Sequence, residues 1–108
     1  MPFQITVLKR AAFRDLIDEY VPAERSASYG ACERFEDGQV FEVRGGTPPT
    51  GFCARAWASI FGDLAVVELG GDASWINRPN TMITCCNDGL TPVVFRIEKL
   101  RDNHAEEA

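Results

Sequence analysis

The spacing of apolar residues changes period along this chain, and that change limits the fold more than any other feature. Phe3, Ile5 and Val7 alternate with Gln4 and Thr6, the pattern of a half-buried strand. Phe13, Leu16, Ile17 and Tyr20 then recur at helical spacing, opposite Arg14, Asp15, Asp18 and Glu19, until Pro22 ends the run. Alternation returns with Phe41 and Val43 after the turn Glu36-Asp37-Gly38. A second apolar stripe, Phe52, Cys53, Ala56, Trp57, Ile60 and Phe61, predicts a helix with Thr50 as N-cap and Gly62 as its stop.

Leu64–Leu69 is short and apolar with paired valines, and reads as a strand broken by Gly70-Gly71. Met82–Cys86 and Pro92–Leu100 read as a β-hairpin around Asn87-Asp88-Gly89, where Asn, Asp and Gly tolerate positive φ. The charged segment 101–108 is expected to fray. The predicted order is β-α-β-α-β-β-β. Connections this short do not suit a doubly wound parallel sheet. The expected fold is a single α+β domain over residues 1–108, a curved and mostly antiparallel sheet with two helices packed on it.

Charge narrows the partners. The chain carries 16 acidic and 11 basic residues, a net charge of -5, and so lacks the basic surface that nucleic acid or an anionic membrane requires. The N-terminus has no signal-peptide pattern, and no stretch approaches the roughly 20 apolar residues of a membrane span. A cytoplasmic protein with reduced cysteines is the expectation.

Four cysteines then become the chemical candidates. Cys53 falls where the second helix should begin, and the positive end of a helix dipole favours a thiolate. It is the candidate nucleophile or ligand contact, against the alternative of a small hydrophobe packed in the core. Cys85 and Cys86 point to opposite faces of their strand, with Cys85 sharing the face of Ile83 and assigned to the core. Cys86 is the neighbour of the reactive thiol, and Asp88 is either its acid–base partner or a turn residue. Cys32, Cys53 and Cys86 could converge on zinc or copper, although no Cys-x-x-Cys spacing is present. No other cofactor is indicated. Trp57 and Trp75 are candidate ligand contacts, with Trp57 also fitting the core and Trp75 fitting a pocket wall. The sole histidine, His104, lies in the charged tail, which leaves histidine-based catalysis without a candidate.

These blocks resemble a family of small, single-domain, mostly bacterial proteins without an assigned activity. The resemblance rests on Ile5-Thr-Val-Leu-Lys9, Gly38-Gln39-x-Phe41, Pro49-x-Gly51-Phe52-Cys53-x-x-Ala56-Trp57 and Cys86-x-Asp88-Gly89-x-x-Pro92-Val-Val-Phe95. It implies a shared fold and supplies no catalytic residues. The family pattern has an arginine before its Pro-Val-Val-Phe block, where this chain has Thr91. An anion bound by that arginine in relatives has here lost its ligand or found another, which makes Thr91 a ligand-site candidate.

Three functions follow as expectations. The first is a small-molecule-binding protein with a pocket between the Cys53 helix, the Trp75 loop and the Cys86–Gly89 turn, acting through a thiol and a carboxylate if it catalyses. The second is a cysteine-based metal-binding or redox-responsive module. The third is a structural protein that forms homo-oligomers through strand edges or exposed aromatics.

Overall fold

A computed structural model describes residues 3–100. The expected frayed tail and His104 lie outside the described residues. Four strands, β1 (Phe3–Arg10), β2 (Val40–Val43), β3 (Thr81–Cys85) and β4 (Val93–Lys99), form one sheet in the order β2-β1-β4-β3. Every neighbouring pair is antiparallel. Helices α1 (Arg14–Tyr20) and α2 (Ala23–Ser26) occupy the β1–β2 connection, and α3 (Ala54–Glu68) follows β2. The α+β antiparallel architecture agrees with the sequence reading.

Alternation sets the covered face. Ile5 lies opposite both Phe41 and Ile97, and Val7 opposite Phe95. These residues, with Phe3, Val43, Met82 and Val93, point to the side where α3 lies. The helix meets them with Ala56, Ile60, Leu64 and Val67, spaced four, four and three residues apart. Ile60 and Val67 are fully buried, each contributing about 1.5–3 kcal/mol of transfer free energy. One end of this core is aromatic: Phe35 meets Phe41, Phe52 and Phe95 edge-on at centroid separations of 5.9, 5.1 and 5.2 Å. Such contacts add about 0.5–1.5 kcal/mol each beyond burial.

Helix α3 differs from its prediction at both ends. Thr50 is not the N-cap; Cys53 is, and its carbonyl accepts the Trp57 N–H at 2.9 Å. Gly62 does not stop the helix, and residues 64–68 are helical rather than a strand. The stop is Gly70-Gly71. Gly70 has φ of 83° and donates to the Val67 carbonyl, and Gly71 donates to that of Val66. This is the paired closure of a Schellman motif, with glycine at the left-handed position. The order is therefore β-α-α-β-α-β-β.

The first helix also packs differently. Of the stripe Phe13, Leu16, Ile17 and Tyr20, only Ile17 is buried. Helix α1 packs with α2, while α3 is the helix laid on the sheet. Arginines tie the β1–β2 connection down. Arg14 pairs with Asp18 and donates to the Tyr29 carbonyl, and Arg10 donates to the carbonyls of Cys32 and Phe35.

Among the described residues, no helix lies on the other sheet face. Cross-strand pairing lays out its rows: Val40, Thr6, Arg96 and Ile83 form one, and Glu42, Gln4, Glu98 and Thr81 the next. A bulge between Val7 and Lys9 makes Leu8 the extra residue of β1 and leaves it partly exposed. Cys85 shares a face with Ile83 as expected, but that face is the open one. Both are exposed, and Met82 is the core residue of β3.

Candidate binding site on the open sheet face

Among the described residues, the thiols expected to form the site take structural positions. Cys53 is half-buried at the start of α3 and packs against the core, as does Cys86. Its side chain makes no capping bond to α3. Cys86 has a structural task. Its N–H donates to the Val93 carbonyl at 3.1 Å, and its Sγ accepts the Val93 N–H at 3.3 Å. The sulfur thus stands in for the carbonyl of a regular antiparallel rung at the mouth of the hairpin.

Asp88 is likewise committed to the turn. Its Oδ1 accepts the N–H groups of Leu90 at 2.9 Å and Thr91 at 3.0 Å. These bonds hold its carboxyl below the ordinary Asp range, the Thr91 bond first; partial burial opposes the shift, and the nearby Arg55 charge assists it. The first turns of α3 do meet this bend, as expected. Arg55 Nε donates to Asn87 Oδ1 at 2.9 Å, and Ser59 Oγ accepts the Asn87 N–H at 3.2 Å.

The remaining candidates separate. Among the described residues, no three His, Cys, Asp or Glu side chains come together in a group that could hold a metal ion, so Cys32, Cys53 and Cys86 are not assembled as ligands. Cys32 lies instead with buried Thr91 along a surface groove at Ser28–Glu33. Trp57 packs at the core margin between Phe52 and Phe61, each 5.9 Å away by centroid. Trp75 does line a cavity, but on the opposite sheet face from the Cys53 helix. Cys53, Cys86 and Asp88 line neither that cavity nor the Cys32 groove.

The Trp75 cavity measures about 440 Å³, within the range of small-molecule sites. Its apolar wall is Leu8, Trp75, Ile76 and Ile83; its polar wall is Asn77, Arg78, Thr81 and Arg96. Two strands, the β1 bulge and one loop supply these residues. The loop is clasped at its ends, since Asp72 Oδ1 accepts the Asn80 N–H at 2.7 Å. Asn80 takes a left-handed φ of 56°, and its carbonyl accepts the Lys99 N–H. Ala73 is buried in the core, and Ile76, packed against it, donates its N–H to the Ala73 carbonyl. Anchored at both points, the loop turns Trp75 outward, 75% exposed, over the mouth of the cavity.

Arg96 is the charged centre. It sits on β4 between Thr6 and Ile83, with its side chain about a quarter exposed. Its Nε lies 2.7 Å from Glu98 Oε1, within ion-pair range, yet it is buried and without an aligned hydrogen-bond partner. Arg78 reaches the same Glu98 oxygen at 3.8 Å. Thr6 Oγ1, from the residue paired across the strand with Arg96, is also buried and unpartnered. A buried polar group left this way costs about 1–3 kcal/mol. Among the described residues these are the two such side-chain atoms, and they stand side by side.

Comparison with known proteins returns no match among family models, curated proteins or solved structures. The site is read from its own geometry.

Of the cavity residues, the sequence marks out Trp75, whereas Leu8, Arg78, Ile83 and Arg96 carry no comparable signal. Arg96 was within reach of the alternation argument. With Val93, Phe95 and Ile97 assigned to one face of β4, Arg96 and Glu98 necessarily occupy the other.

Proposed function

We propose that this protein is a small-molecule-binding domain whose site is the cavity on the open sheet face, under the Trp75 loop. The observation that carries this reading is the buried, unpartnered Thr6 Oγ1 next to Arg96, whose buried Nε is met only by a close but poorly aligned Glu98 oxygen, beside a cavity with an apolar wall. Buried polar atoms are normally hydrogen-bonded, so a free hydroxyl beside a poorly aligned guanidinium is where a ligand would complete the contacts. Trp75 supplies a broad apolar surface that folding leaves exposed. The described residues on its wall are apolar, amide, hydroxyl and guanidinium groups, which supports a reading of binding. Among the described residues, no helix is long and apolar enough to cross a membrane.

The test is a two-dimensional amide NMR titration with naphthalene-2-carboxamide and naphthalene-2-carboxylate, watching the Trp75 indole and the amides of Leu8 and Ile83. Saturable shifts confined to these signals are expected, and Ile83→Arg, which puts a long side chain into the cavity, should abolish them. Shifts centred on Cys53 and Cys86, or no saturable shifts with either compound, would overturn the reading.

A further inference from the structure

Resting on that reading of the cavity, the geometry points to its ligand class: we propose a small organic carboxylate with a single negative charge and a flat or branched apolar body, its carboxylate seated on Arg96.

Charge supplies the first argument. Two guanidinium groups, Arg78 and Arg96, line the cavity, and among the described residues no acidic side chain lines it. Glu98 stands just beside the cavity and approaches both arginines through one oxygen, Oε1, at 3.8 and 2.7 Å. One carboxylate against two guanidiniums leaves a single positive charge uncompensated. A monoanion balances it. The net charge of -5 on the whole chain does not oppose this, because charges beyond a Debye length of about 8 Å are screened at physiological salt.

Hydrogen bonding supplies the second. Glu98 is the residue two along from Arg96 on the same strand face, so its approach to Nε is close but poorly aimed. A guanidinium binds a carboxylate best through a planar fork, with two parallel N–H donors. An incoming carboxylate is free to take that geometry, which the neighbouring Glu98 does not reach. The Thr6 hydroxyl, buried behind Arg96 on the neighbouring strand and outside the cavity lining, has no partner of its own. The Thr81 hydroxyl, in contrast, already donates to the Pro79 carbonyl at 3.0 Å, so it does not compete for the ligand as a donor.

The apolar wall fixes the rest of the molecule. Leu8 and Ile83 flank Arg96, and Trp75 faces solvent across the mouth. A body that reaches from the guanidinium toward the indole covers aliphatic surface and ends on an aromatic face. Aromatic acids fit this path.

The experiment is a matched pair measured by isothermal titration calorimetry at physiological ionic strength: naphthalene-2-carboxylate against naphthalene-2-carboxamide. The carboxylate should bind about tenfold more tightly, the effect of one well-aimed charge-assisted hydrogen-bond pair over a neutral one. Arg96→Gln should erase that preference while leaving carboxamide binding in place, and Arg96→Lys should restore only part of it, since an ammonium cannot form the fork. Glu98→Gln, which removes the competing acid, should strengthen carboxylate binding. Thermal unfolding of each variant checks that it is folded. Equal affinity for the two compounds, or a carboxylate preference that survives Arg96→Gln, overturns the carboxylate assignment and leaves the binding site standing. Failure of both compounds to bind removes the site itself.

Discussion

Replacing Asp88 by alanine separates a structural role for this residue from the catalytic one its neighbourhood of cysteines suggests. Its Oδ1 accepts two backbone N–H groups, from Leu90 and Thr91, and so holds the bend between β3 and β4. The Leu90 carbonyl in turn accepts the Phe13 N–H at 2.9 Å, so the same bend anchors the entry to α1. Hydrogen bonds to a charged group contribute about 1.5–3 kcal/mol when well protected, and solvent access here reduces the pair to a net of about 1–2 kcal/mol, similar to loss of a helix cap. That corresponds to a fall of about 4–8 °C in Tm. The sign with pH follows from the depressed carboxyl. Its stabilising contribution is fully present above the unfolded-state value near 3.8 and is lost as pH falls through the lower folded-state value. Urea unfolding followed by circular dichroism at pH 7 and near pH 2.5 measures both. Asp88→Ala should cost stability at pH 7 and distinctly less near pH 2.5. Asp88→Asn, which keeps an acceptor oxygen without the charge, should cost about half as much at pH 7. An equal loss at both pH values, or Asp88→Asn as damaging as Asp88→Ala, would refute the account.

Two other substitutions test how the fold is closed. Gly71→Ala should destabilise by about 1–3 kcal/mol in thermal or urea unfolding, because a Cβ there would sit 2.8 Å from Val66 Cγ1 and 3.0 Å from the Val66 carbonyl oxygen. The methyl can rotate away, but the carbonyl is fixed by the helix, so a neutral result would mean that the end of α3 is looser than described. Arg10→Ala should cost about 1–3 kcal/mol through the freed carbonyls of Cys32 and Phe35, whereas Asp37→Ala, which removes only the exposed partner, should cost under about 0.5 kcal/mol. Hydrogen exchange should accelerate at Gly38, whose N–H donates to the Val7 carbonyl beside this latch, in Arg10→Ala alone.

The strands that pair in the core were legible because period two is an unambiguous signal over Phe3–Val7 and Val93–Ile97 when one face is buried. The stretch 64–69 was misread for a local reason. Seen alone, it is short, apolar and rich in β-branched residues. Seen with Ile60, it continues a stripe at i+4 and i+7 through Leu64 and Val67. Gly62 looked like a terminus, but a glycine inside a helix costs only about 1 kcal/mol, less than the burial of Leu64 and Val67 beyond it returns. Cys85 shows a different limit. Alternation correctly put it with Ile83, yet pairing of residues by face does not say which face is covered. That depends on the register with β4, where Met82 meets Ile97 and Ile83 meets Arg96.

The candidate site was the least legible part, and the sheet explains why. Its walls come from a bulge in β1, a loop before β3, and outward positions of β3 and β4, which are distant in sequence and individually ordinary. Trp75 alone stood out, as an aromatic in a polar loop with no periodic partner. The expected three-walled pocket placed that loop next to Cys53 and the Cys86–Gly89 turn. In space, Ala73 and Ile76 fasten the loop to the core while Trp75 passes to the far face. With α1 and α2 spent on the β1–β2 connection, α3 can cover only one side of the sheet. Among the described residues the far side is therefore finished by side chains instead of a layer: Glu98 and Gln4 keep one row polar, Leu8 and Ile83 leave apolar ground, and Arg96 lies between them. A surface built only to stay in water would turn that guanidinium outward. Here its Nε is buried and half-served by Glu98, on the same cavity wall as the loop clasped by Asp72, and that combination is what the proposed binding site rests on.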